Sequence, residues 1–212
     1  MINIAELLAD LPVVAILRAP TADRFVQVAE ICVQQGIRAV EFTMTSAGAL
    51  DAVGQARQRL GSEVLIGIGS LRQPDQVEAA LDVGADFCVA QVFRPALVDV
   101  AHRRDAPFIP GALTPNEILT AWEYGVQAVK VSPIGPVGGV GYLAETHAPM
   151  PDVPLMPTGG VTLADVPRYL EAGAAVVGVS RFLLGDALSP DGDLAALATR
   201  AGELVATVPR RS

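Results

Sequence analysis

The chain has little cysteine, few aromatic residues and no basic run, and each shortage closes off a class of protein. Its two cysteines, Cys32 and Cys88, sit far apart inside apolar segments. That pattern excludes a disulfide scaffold and fits buried free thiols in a reducing compartment. Lysine and arginine number 15 against 23 aspartates and glutamates, for a net charge of −8. Without a basic patch or a basic amphipathic helix, neither nucleic acid nor a membrane surface is an expected partner. The two histidines, His102 and His147, have no companions at metal-ligand spacing, so no metal and no cofactor is expected. No apolar run reaches the ~18 residues of a membrane span. Met1-Ile2-Asn3-Ile4-Ala5-Glu6 lacks the basic residues of a secretory signal, and the expected location is the cytoplasm.

What is present is a greasy chain, 51% hydrophobic and 18% charged, which supports a large buried core. Its 212 residues are long for an average domain but ordinary for an α/β barrel. A short amphipathic helix is expected over residues 3–10. Short apolar strands follow at 12–17, 38–43, 64–68, 87–90, 107–110, within 125–133, and at 155–158 and 175–179. Helical patterns lie between them: 21–35 capped by Thr21, 47–60, 74–83, 95–104, 115–124, 163–172 and a closing helix over 193–208. Thr114-Pro115-Asn116-Glu117 spells a capping box with proline at the first helical position. Residues 134–151, rich in glycine and proline, read as a loop with one helical turn near 142–146. A glycine-led pattern recurs at Gly36, Gly84, Gly125 and Gly173, separated by 48, 41 and 48 residues, about two βα units each time. The expected fold is α/β: a single (β/α)8 TIM barrel over residues 1–212, with the short helix in front. The competing fold, a doubly wound open sheet, predicts a glycine-rich fingerprint after the first strand, where this chain has Arg18-Ala19-Pro20.

Strand side chains alternate, so Ala128, Lys130 and Ser132 share one face and Val129 and Val131 the other. The same parity turns Ala39, Glu41 and Thr43 inward. A buried ammonium is costly unless it is paired or has lost its proton, and a desolvated lysine can serve as a nucleophilic amine. Lys130 and Glu41 therefore read either as amine and general acid/base or as a structural ion pair. The strand exits gather further polar groups: Arg18, Thr43 with Thr45, Ser70, Gln91, Ser132, Thr158 and Ser180. Barrel enzymes build their sites at this end, and the clustering favours catalysis. Arg18 is suited to a carboxylate. Thr158-Gly159-Gly160 and Gly178-Val179-Ser180 end the last two strands, where barrels often hold phosphate through backbone N–H groups.

Val13-Val14-Ala15-Ile16-Leu17-Arg18, Val40-Glu41-Phe42-Thr43, Ile66-Gly67-Ile68-Gly69-Ser70, Ile109-Pro110-Gly111, Val129-Lys130-Val131-Ser132-Pro133 and Met156-Pro157-Thr158-Gly159-Gly160-Val161 occur in that order. In this the chain resembles the class I aldolases of 2-keto-3-deoxy-6-phosphogluconate (KDPG) and 4-hydroxy-2-oxoglutarate (KHG). The resemblance implies a (β/α)8 homotrimer that splits a 2-keto-4-hydroxy acid into pyruvate and an aldehyde. It further implies Lys130 as the Schiff-base lysine, Glu41 as the general acid/base, and Arg18 and Ser70 as holders of the carboxylate. Gly159, Gly160 and Ser180 would take the distal phosphate. The chain departs from the family pattern at Ala90-Gln91, where Ser-Pro is common, and at Ser132, where phenylalanine is typical. Thr45 stands where some members carry arginine. The wall beside the lysine is thus smaller and more polar than usual. Two alternatives stay open: a different phosphate-handling barrel enzyme such as an isomerase or synthase, and a non-catalytic barrel binding a small anion.

Overall fold

The structure, a computed structural model, describes residue 8 and residues 10–208. Of the helix expected over 3–10 only Leu8 and Asp10 are among the described residues, both in turns; the rest lies outside them. The chain then alternates strand and helix: β1 (Val13–Leu17), α1 (Phe25–Gln34), β2 (Ala39–Thr43), α2 (Ala49–Leu60), β3 (Leu65–Leu71), α3 (Pro74–Asp82), β4 (Phe87–Ala90), α4 (Pro95–Arg103), β5 (Phe108–Ile109), β6 (Gly111–Ala112), α5 (Pro115–Glu123), β7 (Val129–Val131), α6 (Gly139–His147), β8 (Leu155–Pro157), α7 (Val166–Glu171), β9 (Val177–Val179), α8 (Arg181–Leu184) and α9 (Leu194–Thr207).

All strand pairs are parallel. Six strands form one curled sheet in the order β5-β4-β3-β2-β1-β9, and three form a second in the order β6-β7-β8. The expected eight continuous staves thus become nine strands in two sheets, and the physical reason lies at Pro110. It has no N–H to give, so the fifth stave breaks there: Phe108 and Ile109 pair with β4, while Gly111 and Ala112 pair with β7. Proline's carbonyl still serves, accepting from Lys130 N at 2.8 Å. On the other side the sheets meet at a single bridge between Thr158 and Gly178.

The alternation read from the sequence sorts the core into two clusters. Val14, Ile16, Ala39, Phe87, Val89, Ile109, Ala128 and Met156 fill the concave side of the sheets. Val13, Leu17, Val40, Phe42, Ile66 and Val131 face the helices, in a far larger cluster with Phe25, Val53 and Leu97. Parallel sheets covered by helices need both faces apolar, which accounts for the continuous greasy runs. Cys32 and Cys88 are both buried and free, and burial pushes each thiol up to about 12.

Several local expectations needed correction. Thr21 does not cap α1. It bridges to Ala47, its hydroxyl donates to Asp23 Oδ2 at 2.7 Å, and the helix begins only at Phe25. Residues 139–147, placed in a loop, form a full helix. Its glycines each cost about 1 kcal/mol against alanine, and tertiary contacts override that. Leu143 and Thr146 are buried, and the Tyr142 hydroxyl donates to Leu113 O at 2.5 Å. β3 runs on to Leu71, three residues past its expected end. The short helix α8 was not expected at all. The Thr114–Glu117 capping box forms as read, and Asp193 caps α9 by accepting from Ala196 N at 2.9 Å.

Candidate active site

β7 delivers Lys130 and β2 delivers Glu41 to the concave side, where both are buried. Lys130 Nζ lies 3.8 Å from Glu41 Oε1. That is ion-pair range but beyond a hydrogen bond, and neither carboxylate oxygen of Glu41 has a hydrogen-bond partner among the described residues. Burial lifts the Glu41 carboxyl above the usual carboxylate range, opposed first by Lys130 and then by Arg18. A buried acid with raised proton affinity beside an amine is equipped to pass protons. Space for it comes from Gly69: a Cβ there would stand 1.8 Å from Glu41 Oε1.

Arg18, just past β1, donates from Nη2 to Ser70 Oγ at 2.8 Å and more weakly from Nη1 to Thr45 Oγ1 at 3.4 Å. Ser70 holds a left-handed backbone, φ 62°, where the β3–β4 register shifts between Ile68 and Leu71. A non-glycine residue in that region carries strain of roughly 1–2 kcal/mol, a feature concentrated at functional sites. Gln91 Nε2 donates to Ser132 at 3.3 Å (Oγ) and 3.4 Å (O), tying the exits of β4 and β7.

A cavity of about 260 Å³ opens above the amine, walled by Arg18, Gln91, Lys130, Ser132 and Thr158 and by the run Gly159-Gly160, both glycines at φ 85°. Gly178 and Ser180 line it as well. A Cβ at 178 would meet Thr158 Oγ1 at 2.4 Å, so glycine there admits the threonine side chain. The Ser180 hydroxyl donates to Ile16 O at 2.7 Å. Thr43 is not in this wall: it is fully buried and its hydroxyl lies 3.0 Å from that of Ser46, which also accepts from Ala19 N. A roomier cleft of about 440 Å³ lies beyond Gln91 and Ser132, next to Val92, Phe93 and Leu113. Its titratable group, Glu117, is committed to the Thr114 cap, so the chemistry belongs to the smaller cavity.

The sequence matches the family model for KDPG and KHG aldolases over residues 4–199. The chain belongs to that family. It is 31% identical over 170 residues to the 2-dehydro-3-deoxy-phosphogluconate aldolase of Treponema pallidum (strain Nichols), covering 80% of each chain. It is 29% identical over 178 residues to the KHG/KDPG aldolase of Escherichia coli (strain K12), covering 84% of this chain and 83% of that one. Among solved structures, the 4-hydroxy-2-oxoglutarate/2-dehydro-3-deoxyphosphogluconate aldolase from TTHB1 superposes with a TM-score of 0.85 at 28% identity, over 99% of this chain and 100% of that one.

Reading the sequence missed three things about this aldolase. Arg181 and Phe182 line the cavity; their signal was position alone, directly after Ser180. Ser46 supports Thr43 from the following turn. Lys130 is also the only lysine in the chain, every other basic side chain of its class being arginine. That count alone marks the residue as one kept for its amine, since arginine serves as well or better for most surface charges.

Proposed function

We propose that this aldolase works through a Schiff base on Lys130, cleaving or forming a 2-keto-4-hydroxy acid of the KDPG or KHG kind to give pyruvate and an aldehyde. The carrying observation is the buried Lys130–Glu41 pair, 3.8 Å apart, in which Lys130 lines a small cavity and Glu41 lies behind it, outside the lining. A pair kept for stability would satisfy its carboxylate with hydrogen bonds, and Glu41 has none among the described residues. The Lys130 amine adds to the C2 ketone, and loss of water leaves a protonated imine. That cation accepts the electrons of the breaking C3–C4 bond while Glu41 takes the proton of the 4-hydroxyl, releasing the aldehyde. The remaining enamine regains a proton at C3, and water returns pyruvate and the free amine. Arg18 and Ser70 hold the C1 carboxylate. Backbone N–H groups of Gly159 and Gly160, with Gly178 and Ser180 beside them, hold a distal phosphate or another anion. Gln91, Ser132 and Thr158 line the path between, and Thr43, with its hydroxyl against Ser46, supports the exit of β2 from outside the cavity. No cofactor enters the scheme.

The finer architecture belongs to the same reading. β5 and β6 act as one stave interrupted at Pro110, and the Thr158–Gly178 bridge joins the sheets on the other side, which supports a closed eight-stave barrel. A homotrimer in the cytoplasm, without nucleic acid or membrane, is the setting we propose.

Reduction with borohydride in the presence of pyruvate tests the chemistry. With a single lysine, the expected result is one pyruvyl adduct on the peptide carrying Lys130. No adduct, or an adduct confined to another site, refutes the Schiff base.

A further inference from the structure

The cavity above Lys130 contains a second guanidinium that the scheme above does not use. Arg181 opens α8 directly after Ser180 and lines the same wall as Gly159 and Gly160. The two arginines of the site are in different states. Arg18 is engaged by Ser70 and Thr45, whereas Arg181 forms no ion pair and no side-chain hydrogen bond among the described residues. Its guanidinium carbon instead sits 4.7 Å from the centre of the Phe182 ring, itself 40% exposed. Stacking on an aromatic face steadies a guanidinium while leaving its edge donors free for a ligand.

A neighbouring cavity of about 660 Å³ shares Arg18, Ser180 and Arg181 with the one above Lys130. Arg181 thus stands on a wall common to both cavities, and that wall carries positive charge on a protein whose net charge is −8. Asp186, the acidic side chain lining the second cavity, forms no ion pair with Arg181 and accepts from Asp193 N. An anion arriving here is drawn by local donors, since the global field opposes it.

We infer that Arg181 is a specificity-determining residue of this aldolase, an uncommitted guanidinium that selects aldehyde halves carrying a distal anion. This deepens the proposed reaction and rests on it. One carboxylate lies at Arg18, and a phosphate or second carboxylate lies at Arg181. A neutral tail would leave the Arg181 donors to water and gain nothing from them.

The experiment compares wild type, Arg181→Ala, Arg181→Gln and Arg181→Lys on four substrates: a 2-keto-3-deoxy acid with a terminal phosphate, its dephosphorylated form, 4-hydroxy-2-oxoglutarate, and the analogue with methyl in place of the distal carboxylate. Removing the guanidinium should lower kcat/KM for an anionic tail by about tenfold to a hundredfold, chiefly through KM, and narrow its advantage over the matching neutral tail. Arg181→Lys should recover part of that preference. Which anionic substrate suffers more assigns the tail as phosphate or carboxylate. Inorganic phosphate should compete with the phosphorylated substrate in wild type and lose that effect in Arg181→Ala. Equal loss on charged and neutral tails in both Ala and Gln variants, or no loss, overturns the inference. Borohydride trapping with pyruvate alone keeps the two claims apart, because pyruvate has no tail. Failure to trap in wild type removes the underlying reaction, while intact trapping with an unchanged tail preference removes only the role of Arg181.

Discussion

The two sheets divide the labour of the site unequally. The six-stranded sheet carries Glu41 and Ser70, with Arg18 just past the end of β1, on strands that pair over as many as five consecutive positions. The three-stranded sheet carries Lys130, with Ser132 and Thr158 one residue past β7 and β8, on strands of two or three residues bounded by Pro110, Pro133 and the Gly159-Gly160 turn. The first half is a dense, over-determined wall that can hold an unpartnered carboxylate and a left-handed serine without rearranging. The second is punctuated by residues that admit close backbone approach, which suits a wall that must receive substrate. Strain and desolvation are stored on the side with packing to withstand them.

Removing the charge on the rigid side is the harshest test of that contrast. Glu41→Gln should lower kcat by about 10²–10⁴-fold, because the variant can neither take nor return a proton. Its stability should move the other way. Burial raises the Glu41 carboxyl in the folded state, so wild type holds its full stability below the unfolded carboxyl range and loses some as pH rises through the folded value. The melting temperature of Glu41→Gln relative to wild type should therefore climb as pH rises above the ordinary carboxylate range. A variant less stable than wild type at pH 7 would mean that Lys130 and Glu41 serve as a structural pair.

A subtler break is Gly69→Ala, which places a Cβ against the carboxylate on that same wall. Overpacking there should cost about 1–3 kcal/mol in denaturant unfolding. Displacing Glu41 should also lower kcat by up to about a hundredfold, with little change in KM. On the more open side, Ser132→Ala removes only the weak acceptor of Gln91 at 3.3 Å. Its kcat/KM should stay within about fivefold of wild type, measured on the same substrate. A larger loss at Ser132 than at Gly69 would invert the contrast between the sheets.

Much of this arrangement was legible in the residues. Strand positions, the inward parity of Glu41 and Lys130 and the Thr114 capping box depend on neighbours a few positions apart, and local patterns carry them. The errors have a common source. Thr21 had the chemistry of a cap, but the bridge to Ala47 claimed it. Residues 139–147 had the composition of a loop, yet Leu143 and Tyr142 found partners on other elements. Thr43 had the right parity, but Ser46, three residues on, turned back onto its hydroxyl. Arg181 follows Ser180 with no local signal of its own, and only the fold puts it on the wall of the cavity above Lys130.

Alternation along each strand settles which side chains face inward, because a backbone step of two residues is a property of the chain alone. Nothing local sets how far apart two inward groups lie. The 3.8 Å between Lys130 and Glu41, the vacancy at Gly69 that admits the carboxylate and the break at Pro110 all depend on how successive strands curl past one another. Curvature accumulates across every pairing between β2 and β7, so the chemistry of the site is a sum over contacts that no single stretch of sequence contains.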